Sequence, residues 1–233
     1  RYKPAANAGV RRNMEELLLN VWCEIVSWNW SGIIQSITGL GTLIIAFIAL
    51  TSWRRQHGSQ AVTKLIDQLT DSIHEFIQSI SPAVQMLSFV RIGIESQEFN
   101  RDLNKDLKHP LAVAYIEKEG RESADRLMEL LKNAEQPVHR IRSLLVKGQV
   151  LGISNYHECQ NACNMIVCQF DRLQVVFSML SSQHMNWEHP KVIENLDSMM
   201  DITPEDIFQH INENQKKYLA FLKETYTKEY KSV

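Results

Sequence analysis

An uncharged run from Ser31 to Ser52 constrains this chain more than any other feature. As a helix rising 1.5 Å per residue it covers about 30 Å, the thickness of a bilayer's hydrocarbon layer. A buried core helix of that length ordinarily has a charged or amide-rich edge, and here the one amide is Gln35. Tryptophans stand at both ends, Trp28 and Trp30 before the run and Trp53 after it, where headgroups would lie. A cleaved signal fits less well, because the run starts far from the first residue, is too long, and ends in Trp53-Arg54-Arg55 instead of small residues. The reading is a transmembrane helix over 31–53.

Cationic residues set the orientation. Arg54 and Arg55 follow the run directly and Lys64 comes soon after, whereas Glu15, Glu16 and Glu24 precede it with no Lys or Arg after Arg12. The C-terminal side is therefore expected in the cytoplasm and the N-terminus outside. The stretch RYKPAANAGVRRN, residues 1–13, reads as a tag or processed end, with Met14 as a natural start. Residues 14–30 mix acids with Leu17, Leu18, Val21, Trp22 and Ile25, the pattern of an amphipathic helix at the outer interface. Residues 54–233 are enough for one cytoplasmic domain with its own core.

That domain reads as all-α. Val62, Leu65, Ile66, Leu69, Ile73, Phe76, Ile77 and Ile80 recur at steps of three and four, with breaks expected at Gly58 and at Ser81-Pro82. Val84, Leu87, Val90, Ile92 and Ile94 continue the pattern, and the polar stretch from Phe99 to Pro110 is a connection. Pro137 is expected to separate two helices, and Gly148 and Gly152 to close the second. Ser154 is placed to cap the longest helix of the domain. In it Tyr156, Cys159, Cys163, Ile166, Phe170, Leu173, Phe177 and Leu180 form a seam that needs a facing helix, more simply from this chain than from another. Pro190 starts a short helix through Met200, and Thr203-Pro204-Glu205-Asp206 starts the last. No alternating strand pattern of useful length occurs.

Catalytic sets are scarce. There is no phosphate-binding glycine loop, no His-Glu-x-x-His pair and no Gly-x-Ser-x-Gly elbow. His157, Cys159 and Cys163 are the best metal candidates, but both cysteines belong to the apolar seam, where Cys acts as a small hydrophobe. His184 and His189 fall in a turn-like stretch, and Glu117, Glu119, Glu122 and Asp125 alternate with Lys118, Arg121 and Arg126 as helix ion pairs. Neither metal nor cofactor is expected. A net charge of −2 gives no strong nucleic-acid signal, and Arg140, Arg142 and Lys147 read as a solvated face. The four cysteines make no secreted disulfide framework.

The span carries more information. Ser31, Gln35, Thr38 and Thr42 share one helix face, which Ala46 and Ala49 extend, and Gly32, Ser36 and Gly39 form a small-residue stripe beside it for helix packing. A lone helix offers the Gln35 amide no partner in lipid, so copies of the chain are expected to meet there. The face serves either a homo-oligomer stitched by side-chain hydrogen bonds or a ring lining a pore.

The order of N-terminal span, Trp53-Arg54-Arg55 boundary and helical domain, with IIQSITGLGTLIIAFIALTSWRR at its start, resembles the small single-pass effector and accessory proteins of bacterial antiviral systems. In particular it is similar to the membrane accessory protein of RNA-targeting (type VI) CRISPR systems. The resemblance implies an oligomeric assembly in the bacterial inner membrane and an arginine–histidine ribonuclease motif. No arginine here is followed by His four to six residues later, so RNA cleavage does not carry over. The expected function is a non-enzymatic effector that perturbs or permeabilises the membrane, its partners being lipid, other copies and a cytoplasmic protein trigger. The alternative is a tethered scaffold or sensor adaptor binding a protein or nucleotide; an anchored helical nuclease ranks last.

Overall fold

The computed structural model describes residues 16–23, 26, 30–99 and 103–231, and every regular element among them is helical, as expected. In chain order these are α1 (Trp30–Ser96), a 3-10 turn (Gln97–Phe99), α2 (Pro110–Tyr115), a π turn (Ile116–Gly120), α3 (Arg121–Val150), α4 (Tyr156–Leu180), α5 (Pro190–Met200) and α6 (Pro204–Lys231). Residues 1–13, Trp28 and much of the expected interfacial segment lie outside the described residues. The chain divides into two compact units, Arg1–His57 and Gly58–Val233, and α1 contributes to both.

In the first unit residues 16–23 are helical, with Leu17, Leu18, Leu19, Val21 and Trp22 exposed. From Ile34 to Leu50 the large apolar side chains of α1 are exposed over about 220° of its circumference, and small and polar residues occupy the remainder. One helix is thus long and apolar enough to cross a membrane, and none of its apolar window is buried against the rest of the chain.

The second unit is built around α4. Tyr156, Cys159, Cys163, Ile166, Phe170, Leu173 and Leu180 are buried, with Phe177 packed at the edge. This helix packs against α3, α5 and α6, so the facing surface its seam demands comes from within the chain. From Leu65 onward α1 buries one stripe, including Ile66, Leu69, Ile73, Phe76, Ile80, Val84, Leu87 and Val90. Each such side chain contributes about 1.5–3 kcal/mol when buried. Polar contacts fix the register: Thr70 and Tyr218 share a hydroxyl hydrogen bond of 2.8 Å, and the Tyr226 hydroxyl donates to Asp67 at 2.6 Å. Arg91 donates to the carbonyls of Met200 (3.1 Å) and Ile202 (3.0 Å), answering acceptors at the end of α5 that have no helical partner. Thr203 Oγ1 accepts from the Asp206 backbone N–H at 3.1 Å, the cap its sequence implies.

Four expected breaks are absent. Gly58 and Pro82 lie inside α1, and Pro137 and Gly148 lie inside α3. An interior proline costs about 3 kcal/mol and a glycine about 1. Around Pro82, burial of Ile80, Ala83 and Val84 outweighs that cost, and the acceptor it orphans belongs to exposed Gln78. At Pro137 the orphaned acceptor belongs to exposed Asn133. Ser154 does not cap α4 either. Asn155 holds that position in the left-handed region with φ 56°, after Gly152 at φ 64°, and makes no side-chain cap bond.

Three glycines permit close packing, Gly93 against the Tyr115 ring and two others. A Cβ on Gly120 would stand 2.5 Å from the Leu180 carbonyl oxygen, and one on Gly148 would overlap the Tyr156 ring, whose hydroxyl donates to the Leu145 carbonyl at 3.0 Å. Gly58 has open space at the same position. Gly120→Ala is therefore expected to destabilise the protein by about 1–3 kcal/mol, and Gly58→Ala to stabilise it by up to about 1 kcal/mol. Thermal melts of the detergent-solubilised chain, followed by far-ultraviolet circular dichroism, check both; an unchanged midpoint for Gly120→Ala would mean that the crossing at Leu180 is looser than described.

Candidate functional site

The candidate site is the polar face of α1 in the first unit. Ser31, Gln35, Thr38, Thr42, Ala46 and Ala49 are all exposed, and at 3.6 residues per turn they fall within a wedge of about 80°. Gly39 lies beside that wedge, as do Gly32 and Ser36. A Cβ on Gly39 or Gly41 would meet nothing within 4 Å, so their small size serves no contact inside the chain. Gln35 lies about 6 Å along the axis from Ser31, roughly one turn inside the run.

The hydroxyls and the amide behave differently. Ser36 Oγ donates to the Gly32 carbonyl at 2.9 Å, Thr38 Oγ1 to Ile34 at 2.8 Å, and Thr42 Oγ1 to Thr38 at 2.8 Å. Each donor is satisfied one turn back in its own helix and does not require a neighbour. The Gln35 amide makes no hydrogen bond among the described residues. An amide has two N–H donors and a carbonyl, and transfer of such a group to an apolar medium without partners costs about 2–7 kcal/mol. Thr38 and Thr42 were grouped with Gln35 by their spacing, and side-chain rotamers separate them.

At the other end of the run, Trp53 is exposed and meets the His57 ring edge-on, with centroids 4.4 Å apart and planes at 72°. Arg54 and Arg55 are exposed beside it. The side chain of Trp30, like the whole of Trp28, lies outside the described residues.

Cys159 and Cys163 are fully buried while His157 is exposed. The hydrogen bond with Cys159, then burial, pushes the Cys163 thiol up, favouring its neutral form. Among the described residues no three His, Cys, Asp or Glu side chains are grouped to hold a metal ion. His189 caps α5, its Nδ1 accepting from the Lys191 N–H at 3.2 Å. Arg126 pairs with Glu122 on one helix face, but Glu117 instead accepts from the Trp187 indole N–H at 2.9 Å. Arg140 and Arg142 pair with Glu75 and Asp171 on neighbouring helices.

One cluster has no local sequence signal. Lys108 Nζ and His109 Nε2 both reach Asp197, at 2.6 and 2.5 Å, across 88 or more positions of chain. A His–Asp pair is half of a nucleophilic triad, but no hydroxyl or thiol is bonded to this His109 among the described residues. The cluster ties the segment before α2 to α5. Hollows in this unit include a groove of about 410 Å³ lined by Gln68, Asp71, Arg140, Ser143 and Lys147 among others, and a smaller one beside Trp187 and Asn104.

Comparison with protein-family models, curated proteins and solved structures gave no match. The site therefore stands on its own geometry.

The Asp197 contacts carry a pH dependence. Hydrogen bonds from Lys108 and then His109 hold its carboxyl below the ordinary value of 3.8. A depressed carboxyl stabilises the fold fully above the unfolded value and loses that contribution as pH falls through the folded one. Between about pH 5 and pH 2 the wild type is expected to lose stability more steeply than Asp197→Asn. Denaturant midpoints across that range check it; parallel curves would mean that the contacts do not persist in solution.

Proposed function

We propose that this chain is a membrane-anchored, homo-oligomeric effector of the bacterial inner membrane, without enzymatic activity. Copies meet through the Gln35 face of α1, the helical unit lies in the cytoplasm, and assembly perturbs or permeabilises the bilayer when a cytoplasmic protein triggers it. The observation that carries the reading is the Gln35 amide, unpartnered among the described residues, on a helix whose large apolar side chains are exposed over most of its circumference. Lipid satisfies the apolar surface but offers the amide nothing. A second copy of the same face satisfies both, with Gly39 allowing close approach. The resemblance to single-pass antiviral accessory proteins, including those of RNA-targeting CRISPR systems, is what suggests a role in antiviral defence.

A tethered sensor or scaffold is the second reading, favoured by the groove that includes Gln68, Asp71, Arg140 and Lys147. Its mixed charge suits a polar ligand or a peptide, and in that reading α1 only anchors the domain.

Mass measurement of the detergent-solubilised particle tests the first reading. The wild type is expected at a multiple of 26.9 kDa. An interhelical side-chain hydrogen bond is worth about 1–2 kcal/mol, so Gln35→Leu is expected to weaken association by about 5- to 30-fold per contact. Thr38→Val, whose hydroxyl is satisfied within its own helix, is expected to change little. In cells, a membrane-potential dye is expected to report collapse on wild-type expression and none with Gln35→Leu and Thr42→Leu together, with insertion retained. A monomeric wild type would overturn the reading.

A further inference from the structure

One end of the second unit has an apolar tip flanked by two lysines that make no ion pair among the described residues. Val146, Val150 and Leu151, in the last turn of α3 and the turn beyond it, are 63%, 84% and 41% exposed. Val150 and Leu151 form one side of a shallow groove of about 390 Å³, and Ala61, Lys64 and Lys147 help to line it. The positive φ of Gly152 and Asn155 turns the chain sharply here, leaving Val150 and Leu151 at the tip.

Charge around the tip is asymmetric. Arg140 and Arg142 farther back on α3 are neutralised by Glu75 and Asp171, whereas Lys64 and Lys147 make no ion pair among the described residues. Glu224, which Asn155 reaches from the turn at 3.2 Å, is occupied by Lys228. Asp67 accepts from Tyr226 at 2.6 Å, Asp71 lines the adjoining groove with Arg140 and Lys147, and neither carboxylate is ion-paired to Lys64 or Lys147 among the described residues. An apolar pair between two unpaired lysines matches the headgroup boundary of an anionic bilayer, apolar tip inward and ammonium groups at the phosphates.

Chain length limits how far this surface can be from the membrane. Ala61 follows Arg55 by six residues, a stretch that extends at most about 20 Å. We infer that this end of the second unit docks on the leaflet from which the span emerges, with Val150 and Leu151 in the headgroup–acyl boundary and Lys64 and Lys147 on anionic phospholipid. The inference rests on the membrane-span reading of α1. It adds a lipid-binding surface outside the span and a reason for an exposed valine at the most prominent position of the turn.

The test uses the full chain with Cys23 and Cys168 replaced by Ser, Val150→Cys carrying an environment-sensitive dye, and Glu129→Cys labelled as control. Each protein is reconstituted in vesicles of phosphatidylcholine alone or mixed with phosphatidylglycerol, with and without shallow nitroxide-labelled lipid. The label at position 150 is expected to shift to the blue and be quenched, more strongly with phosphatidylglycerol, and the label at position 129 to do neither. Lys64→Gln with Lys147→Gln is expected to remove the phosphatidylglycerol dependence while helicity is retained. Resistance to alkaline carbonate extraction reports the span separately, and loss of that resistance would end the span reading and this one together. Resistance combined with an aqueous label at 150 overturns the docking alone. A label shielded from both lipid-borne and water-soluble quenchers also overturns it, because another protein surface then covers the tip. Unchanged phosphatidylglycerol dependence in the double variant overturns the role given to the lysines.

Discussion

A helix satisfies its own backbone in water and in lipid alike, so side chains alone decide which medium surrounds each stretch of α1. Between Ile34 and Leu50 large apolar side chains cover most of the circumference and leave one narrow polar face; from Leu65 onward the helix is apolar along one stripe and polar elsewhere. The first pattern is stable only where the broad apolar surface is kept from water, and the second only where water reaches the polar side. The buried half of the protein depends on the second pattern, because the stripe from Leu65 to Ile94 completes the core of the second unit. The proposed membrane activity depends on the first.

Periodicity is the part of this fold that the sequence states openly. The seam of α4 and the stripe of α1 are legible because burial selects every third or fourth side chain, and that selection is written residue by residue. Breakers mislead for the opposite reason. Pro82, Pro137, Gly58 and Gly148 report a local preference of one to three kcal/mol, and the apolar contacts that override it at Pro82 come from elsewhere in the chain. The π turn at Ile116–Gly120 belongs to the same class, since Gly120 gives way to the Leu180 carbonyl, sixty positions later. The meeting of Lys108 and His109 with Asp197 has no local sign at all.

The polar face of the span was legible as a face and illegible as chemistry. Spacing places Gln35, Thr38 and Thr42 together, but whether a hydroxyl turns back to its own helix is a matter of rotamer, which spacing does not carry. Once the threonine donors are accounted for, the demand for a partner narrows to one amide, with the bare backbone at Gly39 beside it.

The hydroxyl pair between Thr70 and Tyr218 has a mechanical consequence. Tyr218 is almost wholly enclosed, and burial drives its phenol strongly away from ionisation, so the pair stays neutral and bonded at any physiological pH. Sliding α1 by one turn against α6 would carry Thr70 about 5 Å off; Thr70 keeps its bond to the Ile66 carbonyl in its own helix, but the enclosed Tyr218 hydroxyl loses its partner, at a cost of about 1–3 kcal/mol. The pair thus pins the axial register of α1 against α6 in the second unit.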